Sequence, residues 1–168
     1  MSLSDKAHFK MMSLVHETLY GLFRDPYQAL DAAGLEPGQK VLEVGCGPGF
    51  FTIPASRIVG EKGSVCALDI SPLAVERVRQ KIEKEGATNV ETVLADAAQT
   101  GLPAESFDLI FVFGIAHSIG DMESILVELH RLLKPAGILS IEGVSKISDR
   151  LFYSVNRRGR ISQFRKAG

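Results

Sequence analysis

A set of glycines and carboxylates carries the types and spacing in this chain that can do chemistry. In Lys40-Val41-Leu42-Glu43-Val44-Gly45-Cys46-Gly47-Pro48-Gly49-Phe50-Phe51 an apolar run stops at three glycines spaced two apart, with Glu43 two residues ahead of the first. Glycine at 45, 47 and 49 allows positive φ and lets a ligand lie against bare main chain. A helix opening near Phe50 would aim its free N–H groups and dipole at that ligand. Asp69 follows a second apolar run, Ser64-Val65-Cys66-Ala67-Leu68, 24 residues after Gly45, about where a carboxylate accepts from both hydroxyls of a ribose. Asp96-Ala97 closes a third run, Thr92-Val93-Leu94-Ala95. Taken singly, the glycines can serve tight packing, Asp69 can be a helix N-terminal charge and Asp96 can cap its own loop. In order, from Glu43 to Ala97, they describe a nucleotide-cofactor site at successive strand ends.

The spacing separates two cofactor classes. A dinucleotide fingerprint with Gly45 and Gly47 as its first pair needs a small residue at position 50, which is Phe. The pattern E-x-G-x-G-x-G instead resembles motif I of class I S-adenosylmethionine-dependent methyltransferases, in which Gly-Cys-Gly-Pro-Gly is a common form. Lys134-Pro135-Ala136-Gly137 likewise resembles that family's Leu-Lys-Pro-Gly-Gly passage, with Ala136 in place of its first glycine. The resemblance implies S-adenosylmethionine as cofactor, with Gly45, Cys46, Gly47 and Gly49 forming its loop and Asp69 holding the ribose. It implies further that Ile70 is an apolar wall for adenine, that Asp96 and Ala97 meet the adenine edge, and that Phe113 at the end of strand four joins the cofactor contacts. Glu43 would support the loop or approach the methionine amino group through water.

The elements that must position these residues alternate between strand and helix. Expected strands end at Val44, Leu68, Ala95 and Phe113, with a fifth at Ile138–Ile141; Phe107–Phe113 is apolar enough for a central parallel strand covered on both faces. Ser71-Pro72 reads as an N-cap with proline at the first helical position, opening a helix to Glu85 closed by Gly86. A further helix runs from about Met122 to Leu133, followed by a turn over 134–137. Leu151–Val155 and Arg160–Phe164 read as a closing hairpin turned by Asn156-Arg157-Arg158-Gly159. Together these predict an α/β fold, a doubly wound Rossmann-like sheet of seven strands. The resemblance makes it mostly parallel, with an antiparallel C-terminal strand beside the fifth. The whole chain reads as one domain: a helical N-terminal lid over 1–36, a cofactor-binding core over 37–143 and a short hairpin over 144–168. In the lid, Phe9, Met12, Val15, Leu19 and Leu22 fall at helical spacing, and a short helix follows Pro26 up to Ala33.

Composition sets limits. The 168 residues are 45% hydrophobic, enough for one proper core. The longest apolar stretch, Leu109–Ala116, is too short for a membrane span, and the first residues lack a secretory pattern, so the expectation is a cytoplasmic protein without a membrane association. Cys46 and Cys66 give neither a metal-ligand spacing nor a disulfide framework, and no metal is expected. From Lys146 to Gly168 seven basic residues face one acid, a local charge of +6 on a chain whose net charge is −1. This patch suits an acidic partner, nucleic acid included, although no aromatic ladder favours nucleic acid, and the bland reading of a charged hairpin edge is preferred. A homodimer through the N-terminal stripe or the hairpin is open.

A sulfonium methyl is already activated, so such an enzyme needs chiefly to place a nucleophile in line and exclude water. A general base is required only for some acceptors, and His117, just past the fourth strand, is the base that position nominates; its bland role is to order its loop. His8, His16 and His130 have weaker claims. The absence of an Asn/Asp-Pro-Pro-aromatic motif after strand four argues against exocyclic amines of bases and glutamine amides. The expected function is methyl transfer to a small-molecule acceptor. The alternative is a protein of the same fold that binds the cofactor without catalysis, or that depends on a partner.

Overall fold

A computed structural model describes residues 25–114 and 121–167. Phe9, Met12, Val15, Leu19, Leu22, His8, His16 and His117 lie outside the described residues. Seven strands form one sheet: β1 (Lys40–Val44), β2 (Ser64–Asp69), β3 (Val90–Leu94), β4 (Phe107–Val112), β5 (Leu133–Glu142), β6 (Phe152–Arg158) and β7 (Ile161–Lys166). Their order is β3-β2-β1-β4-β5-β7-β6. The pairs from β3 through β5 are parallel, and β7 alone runs against its neighbours β5 and β6. The expected doubly wound, mostly parallel sheet with an antiparallel C-terminal strand is what the chain adopts.

Among the described residues, four helices cover the sheet: α1 (Pro26–Ala33), α2 (Thr52–Val59), α3 (Pro72–Glu85) and α4 (Met122–Leu132). One face packs α1 and α2 on Val41, Val65, Leu109 and Phe111. The other packs α4, through Ile125, Leu126, Leu129 and Leu132, on Leu42, Cys66, Ile110 and Ile141. Because alternate residues of β4 feed both clusters, Leu109 and Ile110 are each fully buried, as a central parallel strand requires. Each such side chain contributes about 2 kcal/mol of burial.

Local chemistry sets the helix ends. Ser71 Oγ accepts from Ala74 N, Pro72 opens α3, and Gly86 closes it at φ 65°. Asp25 caps α1 by accepting from Tyr27 N, and Gly34 ends it. Helix α1 is held down by Ser140 Oγ, which donates to Ala33 O at 2.6 Å, and by Gln163 Nε2, which donates to Ala32 O at 2.9 Å.

Several boundaries shift by one or two residues from the sequence reading, and three changes bear on the loops. Helix α2 starts at Thr52 rather than Phe50, because the loop runs on through Phe51. Residues 134–137, expected as a turn, belong to β5: Phe107 pairs with Leu133 and Leu109 with Ile138, so the extra residues bulge out of register. The closing hairpin turns at Gly159-Arg160, since β6 continues to Arg158.

Candidate active site

Strands β1, β2 and β3 deliver their C-terminal ends to one edge of the sheet, and the loops beyond them interlock through the main chain. Gly45 N and Cys46 N both donate to Leu68 O, at 2.8 and 3.0 Å, so the glycine loop is pinned to the end of β2. The loop then closes on itself through Gly49 N to Cys46 O at 2.9 Å. Gly49 sits at φ 81°, and a Cβ there would come within 3.1 Å of Val78 Cγ2 on α3. At Gly47, φ 49°, a Cβ would meet nothing within 4 Å. The same loop therefore uses one glycine for close approach to a helix and another to leave bare main chain facing open space.

Asp69 ties the loops together. Its Oδ2 accepts from Gly47 N at 2.9 Å and its Oδ1 from Ser71 N at 2.8 Å. A carboxylate offers roughly four acceptor positions, so each oxygen keeps capacity for one more donor. Beside it Ile70 is 69% exposed, a large apolar side chain left facing solvent at the sheet edge. Asp96 forms its own turn: Oδ1 accepts from Ala98 N at 2.8 Å and its carbonyl from Gln99 N at 3.0 Å. Ala97 packs half-buried against the α4-side core.

Glu43 is 2% exposed on β1, and Thr52 Oγ1 at the start of α2 donates to its Oε2 at 2.5 Å. Burial pushes its carboxyl up to about 8, and the nearby Asp69 adds to this, against the Thr52 hydrogen bond and Lys81. Lys81 Nζ reaches Gly49 O at 3.5 Å. Cys46 is buried, and burial together with Glu43 and Asp69 pushes its thiol far up, which suits packing and not nucleophilic use. Phe113 is also buried, with its ring centroid 5.2 Å from Phe51 and 5.0 Å from Phe111. It packs in the core beneath Phe51, where the glycine loop ends. His130 lies on α4 with Nε2 3.4 Å from Ala167 O and its ring edge-on to Phe152, away from this edge.

The geometry thus brings Glu43, Gly45, Cys46, Gly47, Gly49 and Asp69 together, with Ile70 at their side and Asp96 and Ala97 at the next strand end. Thr52 and Ser71 N, which orient the two carboxylates, were not singled out in the sequence; a hydroxyl in the first turn after a glycine loop was the available signal. Glu142, at the end of β5, was also missed. Its Oε2 accepts from Gly114 N at 3.2 Å, two residues past the end of β4.

Residues 35–162 match the family described as a methyltransferase domain. The chain belongs to that family. Among relatives, the ubiquinone/menaquinone biosynthesis C-methyltransferase UbiE of Vibrio vulnificus is 37% identical over 118 residues, 70% of this chain and 45% of that protein. The chain thus spans about half the length of the curated relatives it matches. Among solved structures, an S-adenosylmethionine-dependent methyltransferase from Aquifex aeolicus superposes with a TM-score of 0.74 at 27% identity, covering 95% of this chain and 96% of that one. A TehB-like methyltransferase from Corynebacterium glutamicum shares the fold alone, with a TM-score of 0.73 at 19% identity over 96% of this chain and 99% of that one.

S-adenosylmethionine is the cofactor of this methyltransferase domain, and the residues present fit it. The bare main chain at Gly47, the two oriented oxygens of Asp69 and the uncovered Ile70 answer to a backbone-hugging tail, a ribose diol and an apolar ring. Among the described residues no group of His, Cys, Asp and Glu could hold a metal ion, and no helix is long and apolar enough to cross a membrane.

Proposed function

We propose that this methyltransferase domain moves the methyl group of S-adenosylmethionine to a small-molecule acceptor presented over the β4–β5 end of the sheet. The observation that carries the reading is Asp69, fixed at both oxygens by main-chain donors yet left with acceptor capacity beside an open glycine cradle. In this reading Asp69 takes the ribose hydroxyls, Ile70 covers one face of the adenine, and Asp96 and Ala97 meet its edge. The Gly45–Gly49 loop carries the methionine end, with Glu43 and Thr52 setting the loop's base. Bound S-adenosylmethionine supplies an activated methyl on a sulfonium centre.

The protein's own part is positional. With the ribose over β2 and the adenine over β3, the reacting end of the cofactor points toward β1 and β4, so the acceptor enters from β4 and β5. The loop after β4 carries His117, the base for acceptors that must lose a proton. The name of the UbiE relatives puts a carbon acceptor among the first to try.

Calorimetric titration with S-adenosylmethionine and S-adenosylhomocysteine, with NADH as control, tests the cofactor reading. Micromolar binding of the first two and none of the third is expected; binding of NADH alone sinks it. Transfer from methyl-labelled cofactor to a panel of quinols and phenols then tests the reaction. Tight cofactor binding with no transfer to any member of the panel would favour the non-catalytic or partner-dependent alternative.

A further inference from the structure

Strand β6 runs parallel to β1, β4 and β5, because it and β5 both pair antiparallel with β7. Its last residues and the turn after it therefore sit on the same edge of the sheet as the glycine loop. Three of the four positions there are arginines, Arg157, Arg158 and Arg160, and all are exposed. Their situations differ. Arg158 Nη1 is committed to α1, where Asp31 Oδ2 and Asp31 O accept at 3.0 and 3.1 Å. Arg157 Nε donates to Gly159 O at 3.1 Å and so lies along its own turn.

Arg160 is placed otherwise. Its carbonyl accepts from Gly143 N at 2.8 Å, just past the end of β5, while its side chain is 76% exposed. Its Nε stands 4.0 Å from Glu142 Oε1, and the other oxygen of that carboxylate accepts from Gly114 N, two residues past the end of β4. Glu142, only 11% exposed in its side chain, thus spans from Gly114 to the guanidinium. Charge protection of a sheet edge accounts for arginines on the outermost strand β6. It does not account for Arg160, which leads into β7, an inner strand between β5 and β6. At about 4.8 Å per strand, β7 lies about 10 Å from β4, within reach of a molecule held over β4 and β5.

We infer that Arg160, oriented by Glu142, recognises an anionic group on the methyl acceptor, a carboxylate or a phosphate, with Arg157 beside it. This deepens the proposed function and rests on it. A guanidinium fork matches either anion with two parallel hydrogen bonds. Its present partner is displaceable, since the pair is long at 4.0 Å and the guanidinium itself lies in solvent.

The test is calorimetric titration of the protein saturated with S-adenosylhomocysteine, using benzoate and phenyl phosphate as probes and phenol as their neutral counterpart. At least one anion is expected to bind 10-fold or more tightly than phenol, and the stronger of the two identifies the acidic group. Arg160→Ala should weaken that anion at least 10-fold and Arg160→Lys less, with S-adenosylhomocysteine affinity unchanged in both. Arg165→Ala removes an equal charge from the far end of the hairpin, opposite Tyr153, and should change anion affinity less than 2-fold. Equal binding of phenol, no saturable anion binding, or equal losses in Arg160→Ala and Arg165→Ala overturns the inference. If S-adenosylhomocysteine itself does not bind, the proposed function beneath it fails as well; if it binds and the anions do not, only the acceptor inference fails.

Discussion

At the β1–β2–β3 end of the sheet edge, loops are locked by short main-chain hydrogen bonds. Gly45, Cys46 and Gly47 are fixed to Leu68 and Asp69 at 2.8 to 3.0 Å, and every partner lies within a residue or two of a strand end. At the β4–β5–β7 end, by contrast, one carboxylate links Gly114 to an arginine through contacts of 3.2 and 4.0 Å, and the cation is largely in solvent. The first region is preorganised, as suits a cofactor whose shape does not vary under the proposed function. The second is adjustable, as suits the part of a methyltransferase that must match its own acceptor. Substitutions in the first should therefore damage stability or cofactor affinity, and substitutions in the second should leave both intact while changing what else binds.

The largest expected effect belongs to Glu43. Its folded carboxyl is raised from 4.5 to about 8, so the folded protein keeps a proton that the unfolded chain has lost over that interval. Stability from this group is therefore fully present below about pH 4.5 and is lost as pH rises toward 8. At about 1.4 kcal/mol per pKa unit the upper bound is several kcal/mol. Thermal unfolding of the cofactor-free protein should show Tm falling from pH 5.5 to pH 8. Glu43→Gln, which can still accept from Thr52, should flatten that fall. A variant curve parallel to the wild type would mean that Glu43 does not hold its proton.

Next comes Asp69→Ala, which removes the acceptor for Gly47 N and Ser71 N together with the proposed ribose contact. A loss of about 1–3 kcal/mol in S-adenosylhomocysteine affinity is expected, roughly 5- to 150-fold. Asp69→Asn keeps one acceptor oxygen and should fall between. Calorimetry reads both, and wild-type affinity in the alanine variant would remove Asp69 from the site.

This contrast also explains what was legible in the sequence. Helix α3 could be bounded at both ends because Ser71-Pro72 and Gly86 act locally, through a cap, a fixed φ and a left-handed residue. The glycine loop was readable for the same reason. Strand β5 was not: residues 134–137 carry turn-forming types, yet Leu133 seals the core and Lys134 Nζ pairs with Asp108 Oδ1 at 2.6 Å, which keeps the segment on β4 as a bulge. Gly137 is required there because a Cβ would overlap Leu133. The acceptor end was illegible in a further sense. Gly114 and Glu142 meet through the β4–β5 pairing, and Arg160 joins them only when β7 inserts between β5 and β6; no spacing along the chain announces that meeting. The basic tail was visible as a charge excess, but its division into Arg158 bound to α1 and Arg160 turned to Glu142 is a property of the sheet.

The smallest effect sharpens the comparison most, because its sign differs from every loss above. Glu142→Gln keeps a side-chain oxygen for Gly114 N and removes the negative charge facing Arg160. If the acceptor end is tuned by that charge, the variant frees Arg160 and should bind the preferred anionic probe more tightly. The gain should not exceed about 5-fold, since the pair is long at 4.0 Å and its guanidinium is screened by solvent. S-adenosylhomocysteine affinity should stay within 2-fold of the wild type, because Glu142 stands at the end of β5 with Gly114 and Arg160, while the glycine loop, Asp69 and Asp96 follow β1, β2 and β3. Weaker anion binding in Glu142→Gln would mean that the carboxylate acts chiefly by placing Arg160, so that its orienting role outweighs its competition for the guanidinium. Weaker cofactor binding would mean that the loop after β4 couples the two ends, and the division between a rigid cofactor half and an adjustable acceptor half would have to be given up.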